Sequence, residues 1–317
     1  MHPSFYSKQA GILPTTKLQI RSVPELAHLL GANVQYLKNL ASRAKNLYRF
    51  WTEPKKSGGF RKYSEPNPEL KKIQRRLHSL FRSLKYPSTT HYGIREHSNI
   101  TNAIVHAGKK VIYELDLKDF FPSVHPTRVY RALIEEEKCS HPVAAIITQL
   151  VTVNHQLPQG APTSTDIANI VTFQLQRRLN GLAVKWGNTF TSYADDLTFS
   201  GNHYSESFME YARQIIREEG FTPKLSKEKI ATKSHSQVIT GVSINHGISI
   251  SRKKRRVWRA ELFEVRRDFY EEKVDDAALK KAEDKFKSRS VYVASVKRAA
   301  MEINASKVQL LPKRSRP

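Results

Sequence analysis

Cysteine is nearly absent from this chain: Cys139 stands alone among 317 residues. That excludes an intramolecular disulfide and any zinc site built on several thiolates. Paired metal-ligand spacing is missing as well, since the twelve histidines are scattered with no HxxxH pattern. No apolar run approaches the roughly 18 residues that a membrane-crossing helix needs. The N-terminal MHPSFYSKQAGILPTTK lacks the basic-then-apolar layout of a secretory leader. A reducing, cytoplasmic location with no membrane partner is therefore expected. There is no internal repeat, and no low-complexity block beyond short basic clusters.

Acidic residues are scarce relative to basic ones, 29 against 53, which leaves a formal charge of +24. A hydrophobic share of 39% supplies a real core, so the charge does not mark a disordered tail. An excess of this size is the electrostatic footprint of a nucleic-acid partner. It is uneven: residues 251–317 hold 20 basic and 10 acidic side chains, opening with RKKRR at 252–256. Phosphate contacts are expected there.

Apolar spacing predicts two short helices over 24–50, broken near Gly31, and a basic amphipathic helix over 69–84 with Leu70, Ile73, Leu77, Leu80 and Leu84 on one stripe. The Gly58-Gly59 pair predicts a tight turn between them. KKVIYELDLKDFF at 109–121 alternates as a strand, with Val111, Tyr113, Leu115 and Leu117 on one face and Ile112, Glu114 and Asp116 on the other, ending at Pro122. Helical spacing returns over 126–138. A further helix follows Pro158 and Pro162, offering Ser164, Thr165 and Asp166 as caps and burying Ile167, Ile170, Val171, Leu175 and Leu179. Strand signals occupy 189–200 and 237–250, the latter a hairpin turned at Asn245-His246-Gly247. Strands interleaved with helices, then a basic helical tail from 251 to 310, indicate an α+β body with a helical appendage.

TSYADDLTFS at 191–200 sets Asp195 and Asp196 side by side in a strand-like segment. Two aspartates are ordinary turn formers, and the tetrapeptide by itself says no more. Asp116 is a second acid on a strand, beside Glu114 and Ile112. If the two strands are sheet neighbours, three carboxylates converge and repel one another unless cations separate them. Hard oxygen ligands suit Mg²⁺, and two such ions about 3.5–4 Å apart suit in-line phosphoryl transfer.

YADD at 193–196, Asp116 followed five residues on by Phe121, and LPQGAPTS at 157–164 together resemble the motifs of reverse transcriptases. KSGGFRKYSEPNPELKKIQ at 56–74 and GFTPKLSKEK at 220–229 extend the resemblance over about residues 45–250. NAIVH at 102–106 and ITG at 239–241 are similar to the NAxxH and VTG motifs of bacterial retron reverse transcriptases. No maturase or endonuclease domain is expected to follow, and the length leaves no room for RNase H. The resemblance implies an α+β right-hand polymerase: an N-terminal helical extension (1–50), fingers (51–115), a palm with an antiparallel sheet (116–249, with part of the fingers around 140–165) and a basic helical thumb (250–317).

The same resemblance implies the site. Asp116 and Asp195 are the principal ligands of two Mg²⁺ ions, with Asp196 and the carbonyl of Leu117 supporting. Phe121 lies under the sugar of the incoming deoxynucleotide and excludes a 2′-hydroxyl, although by composition alone it is an ordinary core phenylalanine. Lys56 and Arg61 clamp the triphosphate, a guanidinium fork suiting phosphate oxygens. Gln159 touches the nucleotide, and Gly160 permits close backbone approach. Lys227 or Lys229 is the functional lysine of the later motif, where Ser226 replaces the usual asparagine. Asn102 and His106 contact the cognate RNA or pack the fold. Thr240 and Gly241 support the primer end, and Arg255, Arg256 and Trp258 hold duplex. The implied activity is RNA-directed DNA synthesis from dNTPs on a structured non-coding RNA of the msr-msd type. Priming from a guanosine 2′-hydroxyl gives branched RNA–DNA (msDNA), in antiphage defence with a separate effector or toxin protein. The alternatives are a group II intron-like or diversity-generating reverse transcriptase, and an idle RNA-binding protein with a polymerase fold.

Overall fold

The computed structural model describes residues 17–54 and 58–309; Lys56 lies outside them. The N-terminal helices α1 (Val23–Leu29) and α2 (Val34–Arg43) start at Ser22 and Asn33, whose side chains accept from the backbone N–H groups of Glu25 and Tyr36. Strands β1 (Tyr48–Pro54) and β2 (Phe60–Pro66) form an antiparallel hairpin. Helix α3 (Pro68–Phe81), capped by Asn67, buries Leu70, Ile73, Leu77 and Phe81. Leu84 follows the helix instead of ending its stripe, and Phe81 takes that place.

After α4 (Asn99–Val105) comes β3 (Val111–Asp116). The strand ends at Asp116, not at Pro122. Asp119 turns the backbone through the left-handed region (φ 45°) into the single turn α5 (Phe120–Ser123), which contains the proline. Helix α6 (Pro126–Glu135) matches the predicted spacing. Helix α7 (His141–Val151) was not expected, because HPVAAIITQLV is apolar on nearly every side and lacks an amphipathic period; it is buried accordingly. The single helix expected after Pro162 is two, α8 (Ser164–Val171) and α9 (Phe173–Lys185). Thr172 lies at the break, its hydroxyl donating back to the Ala168 carbonyl (2.8 Å). Thr163, not Ser164 to Asp166, precedes the first helical residue.

Strands β4 (Thr189–Tyr193) and β5 (Asp196–Gly201), helix α10 (Glu206–Glu218) and β6 (Lys229–Thr232) complete an antiparallel sheet of order β4-β5-β3-β6. The β3 alternation divides this sheet by face. Val111, Tyr113 and Leu115, with Phe190, Leu197 and Phe199 from β4 and β5, join the main core, on which α10 lays Phe208 and Met209. Ile112, Glu114 and Asp116 share the other face with Ser200, Thr198 and Asp196. The expected boundary at 115/116 thus cuts through β3, whose sheet pairing begins at Val111.

The 237–250 segment reverses twice. Strands β7 (Val238–Ile239) and β8 (Val242–Ser243) turn at Thr240-Gly241, and the anticipated turn at 245–247 returns Ser249 to Ser243. A second core of Ala103, Ile112, Ile239, Val242, Ile244, Ile248, Ile250 and Val296 joins α4, the sheet and α12 (Asp276–Gln309). Helix α11 (Arg252–Tyr270) pairs with α12 largely through charge, Arg289 and Lys285 reaching Glu261 (2.7 and 3.3 Å) and Arg266 reaching Glu283 (2.7 Å). No described helix is long and apolar enough to cross a membrane.

Candidate active site on the four-stranded sheet

Strand β3 lies directly beside β5, and the register sets Asp116 opposite Asp196. Directly opposed residues of an antiparallel pair project to the same face, so these two carboxylates share one end of one surface. The β4–β5 turn supplies the third. Ala194 takes a positive φ of 56°, unusual for a residue with a Cβ, and the Asp195 carbonyl accepts from the Leu117 N–H (3.0 Å). Tyr193 and Tyr92 meet edge to face at 5.2 Å, bracing the turn from outside.

The crowding is visible in the acids' proton affinity. Asp195 is raised above the ordinary carboxylate range by burial and then by Asp116, while Lys227 and Arg61 act in the opposite direction. Asp196, with solvent on one side, is pushed up to about 7 by the protein packed around it and then by Asp195, Asp116 and Glu114. Asp116 is only 5% exposed. Its Oδ2 accepts from Lys227 Nζ at 2.5 Å, whereas Lys229 sits 3.8 Å from Glu114. Of the two candidate lysines, Lys227 is the one at the acids.

Among the described residues no three acidic, histidine or cysteine side chains are gathered into a ready-made metal cage. The residues present nevertheless fit a hard divalent cation. The three side chains are all carboxylates on adjoining strand ends, two of them raise the third's pKa, and a cation already sits on one of them. Leu117 follows Asp116 at the bridge to Pro223, which keeps its backbone at the same strand end.

The other candidates are tied together through the β1–β2 hairpin and the 157–160 loop. Arg61 shares a face of the β1–β2 hairpin with Tyr63, and its charge is felt by Asp195. Phe121 is half-buried, edge-on to Phe120 at 5.4 Å, and its carbonyl accepts from Leu157 two residues before Gln159. The Gln159 carbonyl accepts from the Ser64 N–H (2.8 Å), docking the hairpin on this loop. Gly160 has φ +121°, and a Cβ there would meet the Ser64 carbonyl at 3.3 Å. The backbone that Gly160 admits is therefore that of β2.

Of the two roles expected for Asn102 and His106, the structure fits packing of the fold: both side chains are 0% exposed. His106 joins the two hairpin strands from above, Nδ1 to Ser200 Oγ and Nε2 to Thr191 Oγ1, each at 2.7 Å. Burial lowers its pKa to about 3, so the imidazole is neutral and donates through one nitrogen while accepting through the other. Thr240 and Gly241 form a turn whose Thr240 carbonyl accepts from Asn99 Nδ2 (3.1 Å); the same amide nitrogen donates to Tyr292 Oη on α12 (2.5 Å). Trp258 lies between Lys254 and Arg289, at 5.3 and 5.1 Å from its ring centroid. With Arg255 and Arg256 it lines a basic cleft of about 750 Å³ between α11 and α12, apart from the acids. Sequence reasoning missed Tyr92, Asn99 and the Thr191–Ser200 pair, because their partners are remote in the chain.

A family profile described as reverse transcriptase (RNA-dependent DNA polymerase) matches residues 53–260. Curated relatives include the retron Mx65 reverse transcriptase of Myxococcus xanthus, 36% identical over 78% of this chain and 64% of the relative. The retron Mx162 reverse transcriptase of the same organism is 31% identical over 72% and 54%. The retron Ec86 reverse transcriptase of Escherichia coli is 28% identical over 81% and 84%. The chain thus spans less than two thirds of the length of the two Myxococcus proteins.

Replacing His106 with alanine leaves two buried hydroxyls without their partner, at a cost of about 2–4 kcal/mol. Urea unfolding should register that loss, while the folded variant keeps wild-type RNA affinity in filter binding; a selective loss of RNA affinity would restore the RNA-contact role. A second expectation concerns pH. An acid whose folded pKa, about 7 for Asp196, exceeds its unfolded value of 3.8 costs stability as it ionises. Without divalent cations, Asp196→Asn should melt above wild type at alkaline pH, the advantage vanishing as pH falls through that window. Melting curves in chelator that differ equally at every pH would contradict this origin.

Proposed function

The chain belongs to the reverse transcriptase family, among its retron members, and on that premise we propose that it is an RNA-directed DNA polymerase. The α+β body is the right hand of that family. In this reading the β1–β2 hairpin belongs to the fingers, the four-stranded sheet is the palm, and α11–α12 form the thumb. The observation that carries the proposal is the register of β3 on β5, which opposes Asp116 to the acids of the hairpin turn.

Each residue then has a task. Asp116, Asp195 and Asp196 with the Leu117 carbonyl would hold Mg²⁺, which when bound supplies Lewis acidity toward the primer hydroxyl and the triphosphate. Arg61 and Lys56 would meet phosphate oxygens, Gln159 would position the nucleotide, and Phe121 would exclude a 2′-hydroxyl by its volume. Thr240 and Gly241 would support the primer end, and Arg255, Arg256 and Trp258 would grip duplex backbone by charge. The resemblance to retron reverse transcriptases leads us to propose a structured non-coding RNA as template, RNA 2′-hydroxyl priming, a branched product and a partner effector protein in phage defence. Sequencing the nucleic acid that co-purifies with the chain would test this, with a short branched hybrid expected and unrelated cellular RNA contradicting it.

Purified protein given template, primer, dNTPs and Mg²⁺ should extend the primer. Asp195→Asn should abolish extension and leave RNA binding within a few-fold. Wild-type protein that binds RNA but extends nothing would replace the polymerase with an RNA-binding relative. Phe121→Ala should admit ribonucleotides, measured by competition between rNTP and dNTP; unchanged sugar selection would remove its gating role.

A further inference from the structure

The segment after α10 is fastened to the end of β3 by its backbone. Lys118 N–H donates to the Thr222 carbonyl (2.8 Å), Lys224 N–H donates to the Asp116 carbonyl (2.7 Å), and Leu117 bridges Pro223. A single 3₁₀ turn, Leu225–Lys227, then brings the Lys227 ammonium onto Asp116 Oδ2 at 2.5 Å. The partners are unequally held: the Asp116 side chain is 6% exposed and that of Lys227 is 52%. The carboxylate is fixed in the sheet, while the lysine stem has solvent to swing into.

We propose that Lys227 is a built-in counter-ion that occupies the Asp116 carboxylate until a divalent cation displaces it, so that the site loads metal by exchange. The inference rests on the reading of Asp116, Asp195 and Asp196 as the metal-holding acids. An ammonium donating to Oδ2 fills one of the carboxylate's acceptor positions, and a divalent cation arriving on the same carboxylate would be repelled by its charge. The other lysine nearby is engaged differently, Lys229 lying 3.8 Å from Glu114. Lys227 is thus a positioning residue: it keeps three crowded acids compatible with a folded, metal-free strand end, at the expense of metal affinity.

The test is Mn²⁺ binding by the full chain, stripped with chelator and free of nucleotide, with unbound Mn²⁺ counted by electron paramagnetic resonance. Lys227→Met should bind Mn²⁺ several-fold more tightly than wild type. It should also melt lower than wild type in chelator, with the gap narrowing when Mn²⁺ is added. Lys229→Met should bind as wild type does. Should Lys227→Met aggregate, Lys227→Gln carries the same expectation. Unchanged or weaker Mn²⁺ binding by the Lys227 variant overturns the exchange, as does equal tightening in the Lys229 variant. Wild-type binding that survives Asp116→Asn, or no wild-type binding at all, overturns the metal-site reading itself and the exchange with it.

Discussion

Repulsion among Asp116, Asp195 and Asp196 is the constraint around which the rest of this molecule is arranged. Burial raises the proton affinity of Asp195 and Asp196, and the neighbouring carboxylates raise it further. The fold tolerates the repulsion because the acids sit where strands end and cations can approach. Lys227 arrives from one side and the charge of Arg61 acts from the β1–β2 hairpin.

Holding the acids there requires a sheet with two unlike faces. Below, Tyr113, Phe190, Phe199 and Phe208 form an apolar floor with no freedom to slip register, since a one-residue shift would bury the acids and expose the aromatics. Above, the surface of Thr191, Thr198 and Ser200 is polar yet buried, and His106 from α4 satisfies two of its hydroxyls. An apolar residue at 106 would leave those hydroxyls unpaired, and a charged one would be desolvated. A neutral imidazole with one donor and one acceptor meets both demands.

The same helix ties the sheet to α12. Asn99, at its start, reaches the Thr240 carbonyl and Tyr292 Oη, and the second core continues from Ala103 and Ile112 to Val296. The NAIVH and ITG motifs are therefore in contact with one structural joint, rather than being two separate surfaces. Gly160 plays a comparable part at the β1–β2 hairpin, admitting the β2 backbone beside the 157–160 loop.

The sequence by itself determined the class of fold and singled out the three acids that the sheet register brings to one strand end. Alternation over 109–116 and helical stripes at 69–84 and 126–135 are local properties, and ordered motifs need no coordinates to be read. Helix α7 and strand β6 escaped because a fully buried helix lacks an amphipathic period and a four-residue strand is too short to show one. Tertiary structure alone decided that Asp116 faces Asp196, that Lys227 and not Lys229 is the cation on it, and that Asn102 and His106 belong to the interior. Each depends on register or burial between segments some 80 to 110 residues apart. Periodicity within a segment states which face a side chain takes, and only packing states what that face meets.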